Sequence, residues 1–507
     1  MRKALKVILE YNGITDEFDI SVIQHKAEGV EVLSTHYDAV ELRKKIESSD
    51  RVVVHADYDA DGIMCAAIAY EYFGDSHALY VPERVDGYGI SKEFVESLSP
   101  GTILLTADCG IGSKRELDLL PVGVEAIVTD HHVPQNGKVP SCTVINPLLY
   151  SSAFHGYCGA SVFMLVMESM FGETRFSRQF ATIGTVCDVM PILGPNRAIV
   201  RDGLARISSD PAPSIAALCR ASDVNLREIT EDHIGWKLGP AINAASRMGD
   251  VHAAIDLFCG DSEFDNNAKR LVQYNTERKR VVREVTGGMS SDNVLIDLKN
   301  IRVVRLPDVP SGFLGLVASA LSKENNKVVL VMSGSGRLSG SLRSNGSISG
   351  IGVLRGISQF LSSFGGHNAA AGFSLDEDNL QPLLEFLHTN SRPQEKRDEV
   401  VRQKSIAIEM SEAVELLPEL EKFRPFGNGF ERPVFECESK ISGLRGIGDL
   451  KQYSKFTIGS VDCVCFSVPA AELNEDVLYC IRYTIGYNVF RGRRTPQAEV
   501  LDINRRS

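Results

Sequence analysis

The sequence predicts a multidomain α/β protein. A doubly wound, mostly parallel sheet comes first, then a second, smaller α/β unit, and finally a small β-rich module. Three observations carry this. From Arg51, short β-branched runs alternate with polar loops and helical periods. The alternation resumes near residue 294, after a helix-rich stretch. Beyond a polar segment at 391–399, short strand-like runs and turn residues continue to Ser507. At 507 residues the chain is too long for one core and suggests about three domains.

In order, the first unit takes strands near 52–54, 78–81, 102–106 and 126–129, with helices at 63–73, 91–98 and 113–119. Helices dominate from 159 to about 283. The second unit takes strands near 294–297, 302–306 and 328–332 and a helix at 314–323. The first fifty residues carry no usable motif. The longest apolar stretch, 161–167, is broken by Glu168 and is too short for a bilayer, and the basic start at 1–6 precedes no long apolar region. These features read as a soluble cytoplasmic protein.

Eleven cysteines form no Cys-x-x-Cys pair, and Cys65, Cys109 and Cys187 lie in apolar segments, so they are read as reduced, buried thiols. Cys463 and Cys465 are assigned to opposite faces of a strand. Net charge is −12, but residues 392–507 hold 18 basic and 18 acidic side chains, so the excess acid lies in the first 391 residues. A cluster of metal-binding carboxylates would contribute to that excess, alongside solvated surface.

Three early strands end in acid or imidazole: His55-Ala56-Asp57-Tyr58-Asp59-Ala60-Asp61-Gly62, Asp108-Cys109-Gly110 and Asp130-His131-His132. In an open parallel sheet, loops at the carboxyl ends of neighbouring strands converge on one crevice. Asp188, between apolar neighbours after a helix, is a fourth candidate. Each piece has an ordinary alternative, as a helix cap, a structural histidine pair or a paired acid. Together they point to divalent cations, because crowded carboxylates repel unless neutralised. Mixed Asp and His donors suit Mn²⁺, and two metals sharing a carboxylate can stabilise an in-line displacement at phosphorus.

These four motifs resemble those of the DHH phosphoesterase superfamily. The resemblance extends to RecJ-like single-strand-specific exonucleases. It covers nearly the whole chain after residue 50, through Gly239-Pro240-Ala241-Ile242-Asn243-Ala244 with Arg247, Gly340-Ser341-Leu342-Arg343-Ser344, Gly365-Gly366-His367 and Pro425-Phe426-Gly427-Asn428-Gly429. Bacterial members carry a Trp-His pair where this chain has Pro310-Ser311-Gly312-Phe313, and the chain looks closer to archaeal-type members. The resemblance implies an N-terminal segment (1–50) packed on a catalytic domain (51–260), a connecting helix (261–285), a substrate-binding DHH-associated domain (286–391) and an OB-like β-barrel (400–507) that binds nucleic acid or a partner.

It further implies that His55, Asp59 and Asp108 hold one metal and that Asp61, Asp108, His131 and Asp188 hold the second. Mn²⁺ is the expected ion, with Mg²⁺ as the alternative. His132 would lie near the scissile phosphate, with Asp57 and Asp130 orienting the ligands. Arg247, Arg343, Ser344, Gly365, Gly366 and His367 would bind substrate; glycine lets backbone N–H groups approach a phosphate, and arginine can bind one in bidentate form. The helix around 269–283 holds six cations against two acids and is read as a backbone contact. The implied function is exonucleolytic hydrolysis of single-stranded DNA, or RNA, to mononucleotides in repair or replication. Replication-helicase-associated proteins are the expected protein partners. A small-nucleotide phosphodiesterase and a non-catalytic scaffold are the competing readings. Aromatics beside cations at Lys455-Phe456, Arg482-Tyr483, Tyr487, Phe490-Arg491 and Arg493-Arg494 would line an OB-type groove, with Phe456 and Phe490 assigned to the core.

Overall fold

The computed structural model describes residues 2–15, 20–21, 23, 37–134, 137–151, 154–325, 327–344, 348–366, 368–390, 404–448, 451–490 and 493–506. Its first sheet contains β1 (Arg51–Ala56), β2 (Ala78–Tyr80), β3 (Thr102–Ala107), β4 (Glu125–Thr129) and β5 (Thr143–Ile145). All pairings are parallel, in the order β2-β1-β3-β4-β5. β3 is buried along its whole length, and the other apolar strands are covered by helices, as a parallel sheet requires. The order reverses between β1 and β3. A doubly wound sheet therefore opens its crevice at the carboxyl ends of those two strands.

Helices Gly159–Phe171, Ser177–Cys187 and Gly194–Ser209 close over the helix Ala60–Phe73, whose first ten residues are all buried. The 24-residue helix Phe264–Gly287, about 36 Å long at 1.5 Å per residue, leads to the second sheet. That sheet comprises β6 (Val294–Asp297), β7 (Ile301–Arg305), β8 (Val328–Ser333), β9 (Arg337–Arg343), β10 (Ser363–Gly366) and β11 (Ala370–Asp376). It runs β10-β11-β9-β8-β7-β6 and is mixed, with β7 and β8 the parallel pair. Helix Ser311–Asn325 packs on β8 and β9.

The third sheet has seven strands: β12 (Ile406–Ala407), β13 (Phe435–Ser439), β14 (Ser442–Ile447), β15 (Tyr453–Ile458), β16 (Val461–Cys465), β17 (Tyr479–Phe490) and β18 (Arg493–Arg505). Their order is β12-β13-β17-β18-β16-β15-β14. Phe456 and Tyr483 are buried in its core, so Lys455 and Arg482 lie on the other face and these pairs do not make a stacking groove. Tyr487 differs, with the Arg494 guanidinium 4.0 Å from its ring centroid. The side chain of Phe490 and the whole of Arg491 lie outside the described residues.

Two expectations need correction. Residues 1–50 do not pack as one segment on the first domain. Helix Ala39–Glu47 buries Leu42 and Ile46 against that domain, but helix Arg2–Asn12 docks on the C-terminal domain. Ala4 and Ile8 join the core of that domain, Lys3 pairs with Glu412, and Asn12 exchanges hydrogen bonds with the Glu431 backbone. Its apolar stripe fits whichever core is nearer in space, which sequence spacing does not specify. Cys463 and Cys465 share the buried face of β16, because residues two apart return to the same side of a strand. All eleven cysteines are free thiols. Among the described residues, no helix is long and apolar enough to cross a membrane.

Candidate metal centre and phosphate-facing cleft

β1, β3 and β4 end at Ala56, Ala107 and Thr129, so Asp57, Asp108 and Asp130 are the first residues beyond three adjacent strands. Asp59 caps the helix Ala60–Phe73, accepting hydrogen bonds from the Asp61 and Gly62 N–H groups at 2.9 and 3.3 Å. Asp61 turns back and accepts the Gly159 and Ala160 N–H groups at 2.6 and 3.1 Å, at the positive end of the helix Gly159–Phe171. Asp108 sits at φ +62, a left-handed conformation that Asp tolerates better than most residues. A Cβ on Gly159 would lie 2.4 Å from the Asp108 carboxylate, so only glycine lets this helix start so close to the acid. Asp188 ends the helix Ser177–Cys187.

The ligand atoms gather in three sets, each within 4.8 Å: Asp57, Asp59 and Asp108; Asp108, His131 and His132; and Asp61, His131 and Asp188. His131 Nε2 lies 3.2 Å from Asp108 and 3.6 Å from Asp188. His55 belongs to none of these sets. It is buried between Tyr80 and Phe94, with Nδ1 3.4 Å from the Cys109 thiol. Asp57, which the resemblance makes an orienting residue, joins Asp59 and Asp108 in one set.

Four donor atoms of this centre are buried without a hydrogen-bond partner: His55 Nε2, Asp57 Oδ1, Asp108 Oδ1 and Asp188 Oδ2. A buried acceptor with no partner costs about 1–3 kcal/mol, more when charged, and four in one site fit a group that would bind them all. Electrostatics agree. Burial, then the charge of Asp59, pushes Asp57 up to about 8. Burial, then Asp61, lifts Asp188 to about 8. Burial, then Asp59, lifts Asp61 to about 6. Burial, then Asp61, raises Asp108 well above the ordinary carboxylate range. Burial holds His55 neutral, down at about 4, which leaves it a lone pair to donate.

His132 behaves differently. Burial pulls it down, but its hydrogen bond to Asp130 (2.9 Å) and that carboxylate's charge lift it to about 9. Asp130 is fully buried, yet the His132 contacts and backbone N–H groups, including that of Ile111, outweigh burial and hold it below the ordinary range. The pair presents an imidazolium beside the carboxylates. Tyr88 braces it, its hydroxyl 2.9 Å from His132 Nδ1 and 3.1 Å from the Asp108 carbonyl.

Beside this centre is a group of arginines, Arg84 and Arg247 from the first domain, Arg278 from the long helix and Arg343 from the second sheet. Arg247 donates to the Gly312 carbonyl at 2.7 Å. Burial, then Arg84, Arg278 and Arg343, lowers it to about 9. Arg84 stacks 4.2 Å from the Tyr58 ring centroid and reaches Ser246 Oγ. Arg343, at the end of β9, donates to Ser341 Oγ and the Leu342 carbonyl. Arg278 donates to Asn275. Among the described residues, none of these four is at ion-pair distance from a carboxylate. Clustered cations without anions suit a phosphate.

Gly366, at φ +131, ends the edge strand β10 beside Ala371, and β11 in turn pairs Ala370 with Arg343. Gly365, Gly366 and Arg343 therefore lie at one end of the second sheet. Ser344 spends its hydroxyl on the Ile348 carbonyl and its N–H on the Ala369 carbonyl. His367 lies outside the described residues. On the long helix, Arg270 is paired with Asp250 and Arg280 with Glu277 and Glu284, so these two are engaged within the protein. The sequence reading missed Arg84 and Tyr88. Their signal was position: both follow β2, on the same sheet edge as the motifs.

Residues 51–186 match the DHH family N-terminal domain, 299–390 the DHHA1 domain and 407–502 the RecJ OB domain. Over these segments the chain is similar to the DHH family. It is 31% identical over 429 residues to the single-stranded-DNA-specific exonuclease RecJ of Thermus thermophilus, an alignment covering 80% of this chain and 62% of the relative. Its fold matches a crystal structure of RecJ in complex with Mn²⁺ from the same organism at a TM-score of 0.76 and 24% identity, covering 100% of this chain and 78% of that one. A crystal structure of exonuclease RecJ bound to manganese matches at 29% identity with a TM-score of 0.60, covering 74% of this chain and 98% of that one.

Proposed function

We propose that the protein is a divalent-cation-dependent exonuclease that hydrolyses single-stranded DNA from an end to mononucleotides, in repair or replication. The observation that carries this reading is the set of four orphaned donor atoms at the sheet's switch point, faced by unpaired arginines. RecJ relatives and RecJ bound to manganese support it. His55, Asp59 and Asp108, and Asp61, Asp108, His131 and Asp188, would hold two cations, Mn²⁺ or Mg²⁺, and Asp57 is a further donor. When bound, such cations neutralise the carboxylates, polarise the phosphoryl group and make water a better nucleophile.

The protein's own groups do the rest. Arg247, Arg343 and Arg84 bind flanking phosphate and fix the strand's register. Gly365 and Gly366 offer close backbone approach. The His132 imidazolium donates to a phosphoryl oxygen and stabilises charge that grows in the transition state. Asp130 keeps His132 protonated, and Tyr88 aims it. We place the activity in the cytoplasm, a setting supported by eleven free thiols.

The test supplies Mn²⁺ and compares long single-stranded DNA, duplex DNA, RNA, short oligonucleotides and cyclic dinucleotides. Mononucleotides released from single-stranded DNA are the expected product. Exclusive turnover of cyclic or dinucleotide substrates would replace this reading with a small-nucleotide phosphodiesterase.

A further inference from the structure

Asp188 is followed by a turn in a strained conformation. Val189 has φ +56, in the left-handed region where a β-branched side chain crowds its own backbone. The helix ends in a Schellman-type arrangement, with the Met190 N–H bonded to the Thr185 carbonyl and the Val189 N–H to the Val186 carbonyl. Glycine ordinarily fills the place that Val189 takes. Such strain persists only where the surroundings over-determine it.

The surroundings here come from the C-terminal domain, more than 230 residues away in sequence. Asn428 Nδ2 donates to the Val189 carbonyl at 2.9 Å, and the Ile192 N–H donates back to the Asn428 carbonyl at 2.8 Å. The two bonds grip the segment on both sides of Met190. A Cβ on Gly427 would lie 2.6 Å from Ile192 Cγ1, so the turn sits flush against that segment. The turn is itself anchored. Buried Arg197 donates to the Phe423 and Pro425 carbonyls and stacks 4.2 Å from the Phe430 ring centroid, and Glu231 accepts the Phe426 N–H and pairs with Arg424. Ile192 and Val200 complete the C-terminal domain's core.

We propose that Asn428 is a positioning residue that holds the Asp188 carboxylate in place from the C-terminal domain. That domain then supports the centre's chemistry as well as any grip on the strand. The proposal rests on the metal-centre reading above, and the experiment separates the two. Mn²⁺ binding to the full chain is measured by equilibrium dialysis for the wild type, Asn428→Ala, Asp188→Asn and the double variant, with melting temperatures alongside.

Asn428→Ala should weaken the weaker Mn²⁺ site about tenfold, the size typical when a group orienting a ligand is lost, while the melting temperature stays nearly constant. It should add nothing in the Asp188→Asn background, where the carboxylate it positions is gone. Gly427→Ala, which displaces Ile192, should act in the same direction. An unchanged Mn²⁺ curve in Asn428→Ala, or an equal loss in both backgrounds, would overturn the positioning role. Identical Mn²⁺ binding by the wild type and Asp188→Asn would instead overturn the metal-centre reading.

Discussion

Replacing Asp108 with Asn should make the metal-free protein more stable while abolishing activity. Asp108 is buried, and its ligand atom lies within 4.8 Å of those of Asp57 and Asp59. Two unit charges at that separation repel by about 3.5 kcal/mol at an effective dielectric of about 20. Proton uptake already relieves part of this, and loss of attraction to His132, 3.9 Å away, offsets more. A net gain of about 1–2 kcal/mol remains, equivalent to roughly 2–8 °C in the melting temperature of a domain this size. Asn also tolerates the left-handed backbone at this position.

The pH dependence fixes the sign. Asp57 and Asp188 sit at about 8 and Asp61 at about 6, all above the ordinary 3.8. A carboxyl raised on folding contributes stability that is complete below its unfolded value and is lost as pH rises through the folded one. The gain in Asp108→Asn should therefore be large at pH 8, smaller at pH 5 and nearly absent below the ordinary carboxyl value of 3.8. Scanning calorimetry in EDTA measures it, and added Mn²⁺ should raise the wild-type melting temperature but not that of the variant. A variant less stable than wild type at pH 8 without metal would refute the reasoning.

Tyr88→Phe removes the hydroxyl bracing His132 and should lower kcat about tenfold with KM and melting temperature nearly unchanged, as steady-state kinetics on an oligonucleotide would show. Arg343→Ala should make the slope of log affinity against log salt shallower by about one on long single strands, because one phosphate contact is lost; fluorescence anisotropy across a salt series measures this. The His132–Asp130 pair should stabilise the metal-free protein fully between the ordinary Asp value of 3.8 and about pH 6.5, less as Asp130 protonates at lower pH, and progressively less as pH rises through about 9. His132→Gln should accordingly melt below wild type at pH 6 and converge with it above pH 9.

How much of this was legible in the sequence depends on where each residue lies. Asp57, Asp108 and Asp130 were legible because a parallel sheet sends successive strand ends to one edge, so short motifs stand for positions in space. The partners of His132 were not. The resemblance already made Asp130 an orienting residue rather than a metal ligand, but only the folded loop shows that its partners are His132 and the backbone. Phe456 was assigned to the core, and strand alternation applied to Arg482-Tyr483 would have removed Tyr483 from the proposed groove. Docking of helix Arg2–Asn12 on the far end of the chain, and of Asn428 on Val189, is tertiary pairing across hundreds of residues, for which no local pattern exists.

The proposed binding of a polyanion by an acidic chain is paradoxical only while charge is averaged over the molecule. The excess acid lies in the first 391 residues, and part of it is concentrated in Asp57, Asp59, Asp61, Asp108, Asp130 and Asp188. Two divalent cations would cancel four of those charges, and His132 already answers Asp130. Beside them, Arg84, Arg247, Arg278 and Arg343 crowd one another closely enough that burial and mutual repulsion lower Arg247. Each half is therefore strained alone, one by like carboxylates and the other by like guanidinium groups. A phosphate held between bound cations and arginines relieves both, since it supplies the anion that the arginines lack and accepts the positive charge that the cations bring. On the proposed function, the local sign of the cleft, set by whether the carboxylates are filled, would govern strand binding more than the net charge of −12 does.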